Sequence, residues 1–82
     1  MSRGKSVTID IHSLEKAQAK SKLFNYIANA PNDVTEIVVI HGFNSGTVLR
    51  DMVRHELRHS RIRDKMISVI NPGITTIFLH EK

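Results

Sequence analysis

The chain has 82 residues, 40% of them hydrophobic, and no cysteine. That length holds one small domain with a single core, and the missing cysteines exclude disulfides, thiolate metal sites and a thiol nucleophile. Twelve lysines and arginines against eight acidic residues leave a formal charge of +4, which suits an anionic partner as well as it suits a merely soluble basic domain.

Residues 1–5 read as a polar tail and residues 6–82 as the domain. No long apolar run follows the tail, so neither a signal peptide nor a membrane span is expected and the chain reads as cytoplasmic. Val7, Ile9 and Ile11 alternate with Thr8, Asp10 and His12, the period of a half-buried strand. From Leu14 the spacing turns helical. Leu14, Ala17, Ser21, Phe24 and Ile27 with Ala28 share a face, with Ser13 as N-cap and Lys16 at N3, so no capping box is expected. Residues 29–33, NAPND, stop this helix.

Residues 36–41, EIVVIH, are apolar on both faces and read as a central strand covered on both sides. The turn HGFNSG leads into a second helix over about residues 47–60, with Leu49, Val53 and Leu57 as its core stripe. Residues 65–70 make a third strand, Asn71-Pro72-Gly73 a tight turn, and residues 75–79 a fourth strand. The order β-α-β-α-β-β predicts an α/β two-layer sandwich. Its four-stranded mixed sheet carries both helices on one face through right-handed crossovers, with the last two strands antiparallel.

Three stretches compete for the chemistry. HELRH, residues 55–59, has the form of a zinc-hydrolase motif. On the expected helix His55 points away from the core stripe and His59 lies on a flank, so both face water rather than a walled cleft, and no zinc site is assigned. Asp10 and His12 leave one face of the first strand at its carboxyl end, and His41 closes the parallel second strand. Ligands of open α/β sheets bind beyond such ends. A carboxylate and an imidazole there can orient a water, take its proton or hold a cation, although plain solvent-facing alternation gives the same spacing. In HGFNSG, Gly42 and Gly46 with Asn44 and Ser45 frame a turn that frees backbone N–H groups for a phosphate; a plain strand-to-helix turn has the same composition. Arg50, Arg54 and Arg58 follow at four-residue spacing and Arg61, Arg63 and Lys65 extend the charge, a stripe suited to a nucleic-acid backbone or to simple solvation. Phe43 is the obvious residue for stacking on a base.

Together these residues resemble the small MutS-related, or Smr, domain over about residues 7–79. Ile9-Asp10-Ile11-His12-Ser13 is similar to the family's opening Leu-Asp-x-His-Gly. His41-Gly42-Phe43-Asn44-Ser45-Gly46 is similar to its His-Gly-x-Gly motif, with Asn44 in place of the second glycine. Arg50 matches a following basic residue, and residues 72–79 the closing strand after a Pro-Gly turn. The resemblance implies a fold like the C-terminal domain of a bacterial translation initiation factor. It also implies endonuclease activity on DNA or RNA, in some members on stalled ribosomes. Cleavage falls on Asp10, His12 and Arg50; nucleic-acid contact falls on His41, Gly42, Asn44 and Gly46, to which the arginine stripe adds Arg54 and Arg58.

The leading expectation is an endonuclease working by general acid–base or metal-assisted chemistry. Asp10 orients the nucleophile or a divalent cation, His12 acts as acid or base, and Arg50 stabilises the transition-state charge. Mg²⁺ or Mn²⁺ is a candidate cofactor, with no metal ligand set assigned. The alternative is a module of the same fold that grips nucleic acid or a ribosome without cleaving, and a third reading is a protein-interaction domain cut from a larger chain. The expected partner is nucleic acid, with the ribosome as a candidate, no membrane, and a monomeric state.

Overall fold

The computed structural model describes residues 4–42 and 47–80. Its elements run β1 (Lys5–Asp10), α1 (Lys16–Asn29), β2 (Val34–Ile40), α2 (Val48–Asp51) continued by a π-helical turn (Met52–Glu56), β3 (Ile62–Ile67) and β4 (Ile74–Leu79). The sheet order is β1-β2-β4-β3. β1 and β2 are parallel, and β4 is antiparallel to both of its neighbours. This is the expected four-stranded mixed sheet in the expected element order. No helix among the described residues is long and apolar enough to cross a membrane.

One core explains the layering. Ile9, Ile37, Val39, Ile77 and Leu79 alternate along three strands on a single face and are buried with Ala19, Leu23 and Ile27 of α1 and Met52, Val53 and Leu57 of the second helix. Both helices therefore cover the same face. The other face of β2 is only half covered at Val38 and Ile40, so the expectation of a strand enclosed on both sides is corrected. A two-layer sandwich has no third layer to enclose it.

Four boundaries differ from the sequence reading, each for a local reason. β1 begins at Lys5, inside the expected tail, where Lys5 pairs with Asp33 at 3.2 Å and its N–H reaches the Asp33 carbonyl. The N-cap of α1 is Glu15, not Ser13, and a capping box does form: the Gln18 side-chain oxygen accepts from the Glu15 N–H at 3.3 Å. The inward stripe of α1 is Ala19, Leu23 and Ile27; Phe24 stays 42% exposed, its ring edge-on to His59 with centroids 4.9 Å apart. The second helix ends at Glu56 instead of about residue 60. Its last turn widens to the π form, and Lys65 Nζ then donates to the freed carbonyls of Arg54 and Leu57 at 3.3 and 2.7 Å.

Because that helix stops early, the chain reaches the sheet earlier. β3 starts at Ile62, and Val69 and Ile70, expected in a strand, stand 98% and 96% exposed in the connection to β4. Asn71 closes that connection, its side-chain oxygen accepting from the Gly73 N–H at 3.0 Å.

Arg61 is not surface charge either. It is buried, and its guanidinium donates to the carbonyls of Ile27, Ala30 and Pro31 at 3.2, 2.6 and 2.8 Å, closing the carboxyl end of α1 against the start of β3. Arg61→Ala strands those carbonyls and should cost about 3 kcal/mol in urea unfolding. Arg63→Ala loses a contact 5.5 Å above the half-buried Phe78 ring and should cost less than about 1 kcal/mol in the same experiment.

Candidate active site

The parallel pair β1–β2 sends both chains out at the same end of the sheet, and the candidate residues gather there. Beyond Asp10 the strand alternation persists for two residues. Ile11 turns into the core, and its N–H donates to the Ile40 carbonyl at 2.9 Å, while His12 emerges in the turn that follows. Asp10 Oδ1 accepts from the His12 backbone N–H at 3.0 Å and from His12 Nδ1, so carboxylate and ring are held as one unit. The His12 N–H, then its ring, hold the Asp10 carboxyl below the usual carboxylate range; the charge of Lys22 adds to this in a smaller degree. With Nδ1 donating to an ionised carboxylate, Nε2 carries the ring's reactive lone pair, and half of the side chain faces solvent.

His41 is placed quite differently. It is buried, and every ring nitrogen is used. The Gly42 carbonyl can only accept, so Nδ1 carries the proton toward it, at 2.9 Å. Nε2 then accepts from the Thr75 hydroxyl at 2.9 Å, and Arg54 Nε donates to that hydroxyl at 3.1 Å. Burial pushes the His41 pKa down, opposed by the Gly42 carbonyl and helped by the charges of Arg54 and Arg50. His41 is thus a neutral structural residue that fixes the turn rather than a side chain offered to a ligand. The turn itself requires glycine: Gly42 has φ of +75°, and a Cβ there would stand 3.4 Å from the Cβ of His12. The Gly73 carbonyl accepts from the N–H groups of both His41 and Gly42, at 2.9 and 3.1 Å, tying the start of β4 to the same corner.

Between these walls lies an open cleft of about 370 Å³, lined among others by His12, Lys16, His41 and Leu49. Lys16 was not singled out in the sequence; its position in the first turn of α1 brings it to the cleft, and its Nζ pairs with Glu56 of the second helix at 2.8 Å.

Arg50 lies on the helix that forms one wall, but its guanidinium rests on Asp51, with Nε and Nη2 each 3.3 Å from Oδ1. The three arginines do not form the expected helical stripe. Arg54 is half-buried under Thr75, and Arg58 lies beyond the helix end, exposed on the coil that leads to β3. Asn44 and Gly46, with Phe43 and Ser45, lie outside the described residues.

HELRH is broken by the same early helix end. His55 is exposed on the last helical turn, whereas His59 is in the coil, its Nδ1 accepting from the Arg61 N–H at 3.0 Å. Among the described residues no three His, Cys, Asp or Glu side chains converge as metal ligands.

The family model of the Smr domain matches residues 9–71, from the Asp10 motif through β3. The chain belongs to the Smr domain family, a group of nucleic-acid-binding and nuclease-type modules. Its fold matches the crystal structure of the Smr domain of Thermus thermophilus MutS2 with a TM-score of 0.78, at 20% identity, over 89% of this chain and 96% of that one. No curated protein is significantly similar in sequence. Within this Smr domain the two family motifs lie side by side: a Cβ on Gly42 of the second would stand 3.4 Å from the Cβ of His12 of the first.

Two outcomes follow for the corner. Unfolding returns His41 to an ordinary value near 6.5, so as pH falls the unfolded chain takes up the proton first. Stability linked to His41 is complete above that pH and is lost as pH drops toward the depressed folded value. The urea midpoint should therefore fall between pH 7.5 and 5.5, with a flatter slope in His41→Gln; an equal slope in that variant assigns the loss to another group. Gly42→Ala should cost about 1–2 kcal/mol, because an L side chain is strained at this φ.

Proposed function

We propose that this Smr domain cleaves phosphodiester bonds of RNA or DNA as an endonuclease. The observation that carries the reading is the Asp10–His12 pair, preassembled at the carboxyl end of a parallel strand with Nε2 turned outward on the rim of a cleft that also holds a lysine. In this reading His12 Nε2 takes the proton of the attacking water as the water oxygen bonds to phosphorus; the bond from phosphorus to the leaving sugar oxygen breaks, and that oxygen takes a proton from the imidazolium. Asp10 fixes the ring's tautomer and stabilises the imidazolium that results. Lys16 and Arg50 then face the growing negative charge on the phosphate oxygens, each by exchanging its carboxylate partner, Glu56 or Asp51, for the substrate. Mg²⁺ or Mn²⁺ fits through the Asp10 carboxylate alone, with waters and substrate phosphate completing its shell, the arrangement Mg²⁺ favours.

The ribosome is a candidate partner in this reading. A likeness to the C-terminal domain of a bacterial translation initiation factor, a cytoplasmic location and a monomeric state belong to the same reading.

A second reading has its own observation. Arg50 rests on Asp51 and does not line the cleft, which is the geometry of a module that binds nucleic acid without cutting it.

Labelled single- and double-stranded RNA and DNA, with and without Mg²⁺ or Mn²⁺, separate the two. Cleavage by the wild-type chain should fall about 100-fold or more in Asp10→Ala and in His12→Ala, with binding nearly unchanged. The double variant should be no slower than the worse single, as for groups that act as one unit. Binding without cleavage by the wild type leaves the module reading standing.

A further inference from the structure

A second concavity meets the dyad from the other side of β1. It holds about 740 Å³ and is lined by Thr8, Ile9 and Asp10 of the strand and by Lys22, Asn25 and Tyr26 of α1. Nothing in the chemistry above uses it except Asp10, where it ends.

Its strand wall is a free edge. β1 pairs with β2 alone. Ile11 donates to β2, so by strand alternation the N–H and C=O groups of Thr8 and Asp10 point the opposite way, into the groove. Its helix wall offers one cation, one amide and one ring. Lys22, Asn25 and Tyr26 stand at helical spacings of three and four, on a single face. Lys22 and Asn25 are exposed, whereas Tyr26 is half-buried against the core, which holds its ring in place.

We propose that this groove is the subsite for an unpaired nucleotide next to the bond that is cut. This rests on the nuclease reading and names its substrate class: single-stranded or unstacked RNA or DNA rather than continuous duplex. The Tyr26 ring supplies a face for one base, which every base can use. Lys22 supplies the charge for the adjoining phosphate. The Asn25 amide and the free backbone groups of β1 supply donors and acceptors for a base edge, and these are reachable once the base has left its partner. The groove runs into Asp10, so a nucleotide held there delivers its neighbouring phosphate to the His12 rim.

An extended peptide adding to the β1 edge is the rival occupant. Strand addition draws its specificity from pockets for alternate side chains, and a lysine, an amide and a ring on one helix face make a poor row of such pockets.

Tyr26 is the single tyrosine of a chain without tryptophan, so its emission reports on this groove. The wild-type chain is titrated with short oligo(U), oligo(dT), a duplex of the same length and a Thr/Val peptide. Single strands should quench the emission and the duplex should not. By anisotropy, Tyr26→Ala should weaken single-strand binding about tenfold and Tyr26→Phe should restore most of it. Lys22→Glu, at an exposed position that leaves folding intact, should weaken binding and flatten its salt dependence by about one phosphate. Oligonucleotide binding with unchanged emission and wild-type affinity in both Tyr26→Ala and Lys22→Glu overturns the subsite and leaves the nuclease reading in place. No oligonucleotide binding at all removes both, and quenching by the peptide alone assigns the groove to strand addition.

Discussion

The hydrogen-bonded chain from Arg54 through Thr75 and His41 to the Gly42 carbonyl is the constraint on which the rest of the site depends. It joins the second helix, β4, β2 and the turn after β2 in one line of donors and acceptors. Each member has a single role that satisfies the next. The arginine can only donate, the hydroxyl accepts and donates, and the neutral imidazole accepts at one nitrogen and donates at the other. A protonated His41 could not accept from Thr75, so burial and bonding pattern require the same charge state. The line fixes the direction in which the chain leaves β2, and with it the glycine that packs on His12. The position of the exposed dyad is thus set by a buried group that does no chemistry itself.

The same economy governs the basic residues. Arg61 and Lys65 lie in or near the third strand, where the sequence suggests a positive surface, yet each is spent on helix carbonyls. An α-helix leaves its last carbonyls without partners, and a two-layer domain this small has little room to hydrate them where helix ends meet strands. Cations from a neighbouring strand fill that need. Lys22 and Arg58 stay exposed, whereas Lys16 and Arg50 are each held by a carboxylate, Glu56 and Asp51.

The fold was largely legible because its elements announce themselves by period. The alternation of residues 7–12 and the turn residues at 71–73 correspond to β1 and to the β3–β4 connection. The inward face of α1 was not legible. The expected face, Leu14, Ala17, Ser21, Phe24 and Ile27 with Ala28, shares only Ile27 with the buried series Ala19, Leu23 and Ile27, and periodicity alone does not say which one meets a sheet. In the structure the helix starts two residues later than Leu14 suggests, with Glu15 as its N-cap, and Phe24 packs on His59. The extent of the second helix was misread for a related reason. Residues 57–60 have ordinary helix propensity, but Leu57 is drawn into the core and Lys65 caps the chain before it, a tertiary effect that local sequence does not carry. The Asp10–His12 pair was legible because spacing of two on a strand is a geometric statement. The burial of His41 was not, since a histidine at a strand end looks the same whether it faces water or Thr75.

The dyad stands where two concavities meet. On one side is the cleft walled by the starts of both helices; on the other is the groove along the free edge of β1. Asp10 faces the groove while His12 faces the cleft, and one carboxylate oxygen joins them. A substrate that filled only the cleft would meet the base without the strand edge, and one that filled only the groove would meet the carboxylate without Nε2. On the proposed nuclease reading, a polymer that runs from one to the other crosses the Asp10–His12 hydrogen bond on its way, and the phosphodiester link between two nucleotides lies there. A free edge strand is ordinarily a liability in a small sheet; here its unpaired backbone groups lie beside an exposed carboxylate–imidazole pair, and on the proposed reading that placement gives the edge a use.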